Sequence, residues 1–88
     1  MMLSKTEQKM LMALLEEGDM SIHEIQEKIG GSFSTICWYA NGISRFIMIY
    51  REDHNRKVLS LTAKGKVMAQ MLKKVLIFAD GNEETYNL

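Results

Sequence analysis

The chain has 88 residues, 47% of them apolar and 25% charged, with one cysteine and a formal net charge of zero. That length makes one small domain, 1–88, which buries a limited share of its surface and gains from pairing with a second copy. No apolar run reaches a membrane span, the start MMLSKTEQKM has no signal-peptide pattern, and a single cysteine excludes an internal disulfide framework, so a cytoplasmic location is expected.

The zero net charge hides a segregation. Residues 1–31 carry three lysines against six acids, residues 32–79 carry eight lysines and arginines against two acids, and residues 80–88 carry three acids and no base. Binding follows local patches more than totals, so the basic centre is compatible with a nucleic-acid partner. A neutral total still weakens nonspecific DNA binding and counts against an architectural DNA coat.

Ser4-Lys-Thr-Glu7 is a capping-box pattern that opens a first helix over 4–17, with Leu11, Leu14 and Leu15 as its buried face and Gly18 as its stop. Ser21-Ile-His-Glu24 repeats the pattern and opens a second helix over 21–29, with Ile22, Ile25 and Ile29 buried. Gly30-Gly31 ends it and eases a sharp turn. A short helix, a tight turn and a third helix are the ingredients of helix-turn-helix.

The third helix is expected over 32–46, within SFSTICWYANGISRFI, capped by Ser32 or Ser34. Phe33, Ile36, Ala40, Ile43 and Ile47 recur at three- and four-residue steps and form an apolar stripe. Ser34, Trp38, Asn41 and Arg45 recur at the same steps on the other side. That side holds hydroxyl, indole, carboxamide and guanidinium groups and no acid. Asn and Arg pair bidentately with base edges, and Ser and Arg hold phosphates. For one isolated helix a solvated face is the plainer account, and the flanking elements tip the balance toward a reading face.

Ile47 to Glu52 and Lys57 to Leu61 are β-branched and apolar with partial alternation, around a polar Asp53-His-Asn-Arg56. This predicts a two-stranded hairpin over 47–61 that packs on the helices. Its tip offers Arg51, Arg56 and Lys57 to phosphate or a minor groove. Arg56 is equally spaced to pair with Asp53 and stiffen the tip. Thr62 caps a last helix over 63–79. Its apolar residues, Val67, Met68, Met71, Leu72, Val75, Leu76 and Phe78, exceed what one buried stripe needs. The excess predicts a homodimer in which Met68, Met71, Leu72, Val75 and Phe78 meet a partner chain. Residues 80–88 form a polar tail.

The order of elements is that of a winged helix, mainly α with a small β-hairpin. The chain resembles the MarR-type regulators, with ArsR- and PadR-type repressors as relatives, over roughly residues 21–72. Ser34-Thr-Ile36, Ile43, Met48-Ile49, Asp53, Arg56-Lys57 and above all Leu59-Ser-Leu-Thr-Ala-Lys-Gly65 carry the resemblance. Its minimal length is also similar to that of small phage and archaeal-virus regulators. The resemblance implies a dimeric, sequence-specific transcription regulator of double-stranded DNA. The third helix would enter the major groove and the wing would lie on the backbone or minor groove. Ser34, Thr35, Trp38, Asn41 and Arg45 would face DNA, with Arg51, Arg56 and Lys57 on the wing. Two departures stand out: Ile47 occupies a position where that family usually has glycine, and the extra terminal helices that build its effector pocket have no counterpart here, so a small-molecule effector site is not expected.

Other readings stay in view. Trp38 is as well suited to packing on the first helix or a partner chain as to DNA. The acidic first third and neutral total suit a winged helix used for protein–protein assembly. Cys37 reads as a small buried or half-buried thiol. His23, His54 and Cys37 match no zinc spacing, so no metal or cofactor is expected. Gly30-Gly31 lacks the continuation of a phosphate loop, and no catalytic set appears, so no enzyme activity is expected.

Overall fold

Three serines set the first three helices. Ser4 and Ser21 each accept the backbone N–H of the glutamate three residues on, and Glu7 and Glu24 reach back to the serine N–H groups at 2.8 and 2.9 Å, completing both capping boxes. Ser32 accepts the Thr35 N–H at 3.1 Å, but Thr35 cannot return the bond as a glutamate would, and its hydroxyl meets that of Ser32 at 2.8 Å instead. The helix starting there therefore has no acid in its first turn.

The computed structural model describes residues 3–79. In chain order it contains α1 (Lys5–Glu17), β1 (Met20–Ser21), α2 (Ile22–Ile29), α3 (Phe33–Gly42), β2 (Ile47–Arg51), β3 (Lys57–Leu61) and α4 (Ala63–Ala79). The expected polar tail over 80–88 lies outside the described residues. Gly30 and Gly31 take φ of +83° and +94°, which lets the chain reverse between α2 and α3 within three residues.

The winged-helix architecture expected from the sequence is present, with one added strand. Met20 and Ser21, the latter read only as the cap of the second helix, pair antiparallel with Leu59 and Val58, so the hairpin becomes a three-stranded sheet in the order β1-β3-β2. This third strand joins the wing to the helices by backbone hydrogen bonds as well as by packing. Two residues are too short for an alternation signal, which explains why the sequence pattern misses it. Tyr50 on β2 donates to Asp19 at 2.9 Å, beside the same junction.

The core is a single cluster. Met10, Leu11, Ile22, Ile25, Ile36, Phe46 and Leu59 are its largest fully buried side chains. From the predicted α1 and α2 stripes Leu11, Leu14, Ile22 and Ile25 are buried in it, with Met10 added, whereas Leu15 and Ile29, expected to be buried, are only half-buried at its edge. Ile36, Ala40 and Ile43 of the α3 stripe are buried, and Ile47 is buried on β2. Phe33 departs from that stripe: it is 41% exposed and lies over α2, its ring 5.6 Å from that of His23. Gly65 and Ala69 form the tightest line of α4 against the core, flanked by half-buried Met68 and Leu72.

Candidate nucleic-acid interface

The outward side of α3 is where Ser34, Thr35, Trp38 and Asn41 stand, all exposed. Burial of Ile36 and Ala40 dictates this: Ser34 and Trp38, two positions away, face the opposite side of the helix, and Thr35 and Asn41, one position away, stand about 100° round from the buried line. Trp38 is 70% exposed and its ring meets that of Tyr39 edge-on at 5.0 Å. No acidic residue occurs from Ser32 through Arg51.

The helix ends earlier than expected, at Gly42 rather than 46. Ile43 leaves the helical conformation, at φ −115° and ψ 37°, and residues 43–46 form a turn in which the Phe46 N–H donates to the Ile43 carbonyl at 2.9 Å, with Ile43 and Phe46 both in the core. Arg45 is exposed but sits on this turn, off the helix face that carries Asn41. The turn is held by Thr62. Its backbone N–H donates to the Phe46 carbonyl at 2.9 Å, its hydroxyl donates to the Arg45 carbonyl at 2.8 Å, and that hydroxyl accepts the Gly65 N–H at 3.0 Å. The sequence marks Thr62 as a helix cap. Its second task, fixing the exit of α3, shows only in three dimensions.

On the wing, β2 and β3 pair from Ile47↔Leu61 to Arg51↔Lys57. His54 and Asn55 at the tip both adopt a φ of 64°, a left-handed conformation that asparagine tolerates better than most residues. Arg51 donates to the Asn55 side-chain oxygen at 2.7 Å, which braces the turn. Arg56 does not pair with Asp53. It reaches Glu24 Oε1 at 2.6 Å, across thirty-two residues of sequence, and ties the wing tip to the start of α2. The same oxygen accepts the Ser21 N–H. Donation from the Ser21 backbone and hydroxyl, and then from the Arg56 guanidinium, holds the Glu24 carboxyl below its ordinary pKa. Lys57 is half-buried at the base of the turn. A hollow of about 340 Å³ lies between wing tip, α2 and α3, bounded by His23, Phe33, His54, Arg56 and Lys57.

The predicted partner-facing residues of α4 divide in two. Met68 and Leu72 are half-buried against this chain's own core, whereas Met71, Val75 and Phe78 are exposed, together with Val67. Cys37 is half-buried against the core. Among the described residues no three His, Cys, Asp or Glu side chains gather as a metal-binding group, and no helix is long and apolar enough to cross a membrane.

The sequence profile described as "Methanogenesis regulatory protein FilR1, N-terminal domain" matches residues 1–80. No curated protein matches the chain by sequence. Among solved structures, MepR, a transcription regulator of the Staphylococcus aureus multidrug efflux pump MepA, superposes with a TM-score of 0.81 at 13% identity, covering 98% of this chain and 67% of its own. FabT from Streptococcus pneumoniae, solved in complex with DNA, gives 0.78 at 18% identity, with 98% and 62% covered. The transcriptional regulator BldR from Sulfolobus solfataricus gives 0.77 at 19%, with 98% and 63% covered. These likenesses establish the MarR-type winged-helix fold, and the chain spans about two thirds of the length of each of the three.

Proposed function

The chain belongs to the family of the N-terminal domain of the methanogenesis regulatory protein FilR1, and on that premise we propose that it binds double-stranded DNA, sequence-specifically and as a dimer, to regulate transcription. The observation that carries this reading is the exposed side of α3, with Ser34, Thr35, Trp38 and Asn41, in a stretch from Ser32 to Arg51 that holds no acid, while the far side of the helix is locked in the core. On this reading α3 enters the major groove. Asn41 reads a base edge, Trp38 contacts a thymine methyl or sugar, and Ser34 and Thr35 hold phosphate near the helix start, where no carboxylate opposes it. Arg45, on the turn, grips the adjoining backbone. The wing brings Arg51, Arg56 and Lys57 to the neighbouring phosphates or minor groove. That FabT was solved with DNA supports the same reading for a shared fold. The exposed apolar line of α4 supports pairing of two copies, which would present two α3 helices to two half-sites.

The test is a titration of labelled duplex DNA at several salt concentrations. Asn41→Ala should weaken binding to a selected site by about 1–3 kcal/mol and relax preference at one base pair, whereas Arg45→Ala and Arg56→Ala should weaken all sequences alike and reduce the salt slope. An absence of binding to any duplex at low salt would instead favour a protein–protein module, a reading that the exposed Trp38, Met48 and Ile49 keep open.

A further inference from the structure

A cleft of about 590 Å³ opens where the start of α1 meets the end of α3, bounded by Ser4, Glu7, Trp38, Tyr39, Asn41 and Gly42. Two aromatic rings, set edge-on to one another, form one wall. Among the described residues that line it, Glu7 has the one formally charged side chain. One of its carboxylate oxygens, Oε1, is committed to the Ser4 N–H at 2.8 Å. The other, Oε2, faces Gly42 and lies 3.6 Å from where a β-carbon on that residue would stand, so the missing side chain leaves the carboxylate open to the cleft. Sites of this size, with aromatic walls and a few convergent polar groups, suit small ligands. A carboxylate beside two aromatic rings selects positive charge, because ring quadrupoles and the acid attract the same ligand.

We propose that this cleft is a binding site for a small aromatic ammonium cation, held by the Glu7 carboxylate and the rings of Trp38 and Tyr39. Asn41 and Trp38 belong both to the cleft and to the surface proposed to read DNA, so the bound cation and DNA compete; this consequence rests on the DNA reading, whereas the site itself does not.

Trp38 is the chain's single tryptophan and reports on the cleft directly. Benzyltrimethylammonium titrated into the full chain should change its emission saturably, and benzoate, a ring of opposite charge, should bind at least about ten-fold more weakly. Glu7→Gln retains a residue that serves in a capping box, so the variant folds, and it should weaken the cation by about ten-fold. Gly42 is free of left-handed φ, so Gly42→Leu is tolerated by the backbone and should fill the cleft and abolish binding. A flat emission response, equal affinity for benzoate, or unchanged binding by the Glu7→Gln variant would each overturn the site. In a second arm the cation should release labelled duplex from the parent chain. Saturable binding without release would keep the site and refute only its overlap with DNA.

Discussion

A methyl group on Gly65 would collide with the backbone of Phe46: its carbon would run into the carbonyl oxygen and stand 2.8 Å from the carbonyl carbon. The first turn of α4 thus lies directly on the turn that ends α3. Because the obstacle is backbone, no side chain can swing aside. Gly65→Ala should therefore destabilise the domain by about 1–3 kcal/mol through overpacking. In a chain of this size that lowers the melting midpoint by roughly 4–8 °C for each kcal/mol, readable by circular dichroism. An unchanged midpoint would show that α4 can lift away from Phe46 at little cost.

Thr62 works on the same contact through hydrogen bonds. Thr62→Val keeps the shape but removes both the cap on Gly65 N–H and the bond to the Arg45 carbonyl. Loss of a helix cap costs about 0.5–2 kcal/mol. Freeing the Arg45 carbonyl also loosens the turn that carries the Arg45 side chain. DNA affinity should fall even at temperatures where the variant remains folded, so binding and unfolding curves measured together separate the two effects. Affinity unchanged at full folding would confine Thr62 to a stability role.

These two residues show what was legible in the sequence. Leu61-Thr-Ala-Lys-Gly65 stood out as a motif, and Thr62 read correctly as a cap, because capping is a local matter of three or four residues. The reason for Gly65 was invisible, since its obstacle is nineteen residues upstream. The same division runs through the rest. The capping boxes at Ser4 and Ser21 and the buried isoleucines of α2 follow from spacing alone. The end of α3 does not: Ile43 fits the helical stripe equally well as the last core residue of a helix or the first of a turn, and the turn is fixed by bonds from Thr62 to the Arg45 and Phe46 carbonyls, far along the chain. Arg56 likewise had a plausible partner three residues away in Asp53, and the fold supplied Glu24 from α2 instead.

Glu24 gives a pH prediction with a definite sign. Its folded carboxyl is held below the ordinary value of 4.5, first by the Ser21 backbone N–H, then by the Ser21 hydroxyl and Arg56. A lowered folded pKa means stability that is fully present above the unfolded value and is lost as pH falls through the folded one. Thermal midpoints should therefore drop as pH falls below about 4.5, and Glu24→Gln should flatten that drop while keeping a capping-box residue in place. The same variant releases Arg56 and removes an acid next to the wing, so it should tighten DNA binding at low salt and steepen the salt dependence. Weaker binding by Glu24→Gln would mean instead that the ion pair holds Arg56 in its working position.

The exposed line Val67, Met71, Val75 on α4 recurs every four residues, so it forms one continuous apolar strip opposite the buried Gly65–Ala69 line. Burying about 25 cal/mol for each Å² of apolar surface is the drive for two such strips to meet. A carboxylate placed within the strip would lose its water on pairing, at a cost of several kcal/mol. Met71→Glu and Val75→Glu should each raise the dimer dissociation constant by about a hundred-fold or more, read by sedimentation. Both positions are exposed in the single chain, so the fold should survive, and circular dichroism checks that it does. Because each half-site contact then acts alone, DNA affinity should fall with the dimer while the footprint shrinks to one half-site. A parent chain that sediments as a monomer at high micromolar concentration would refute the α4 interface outright.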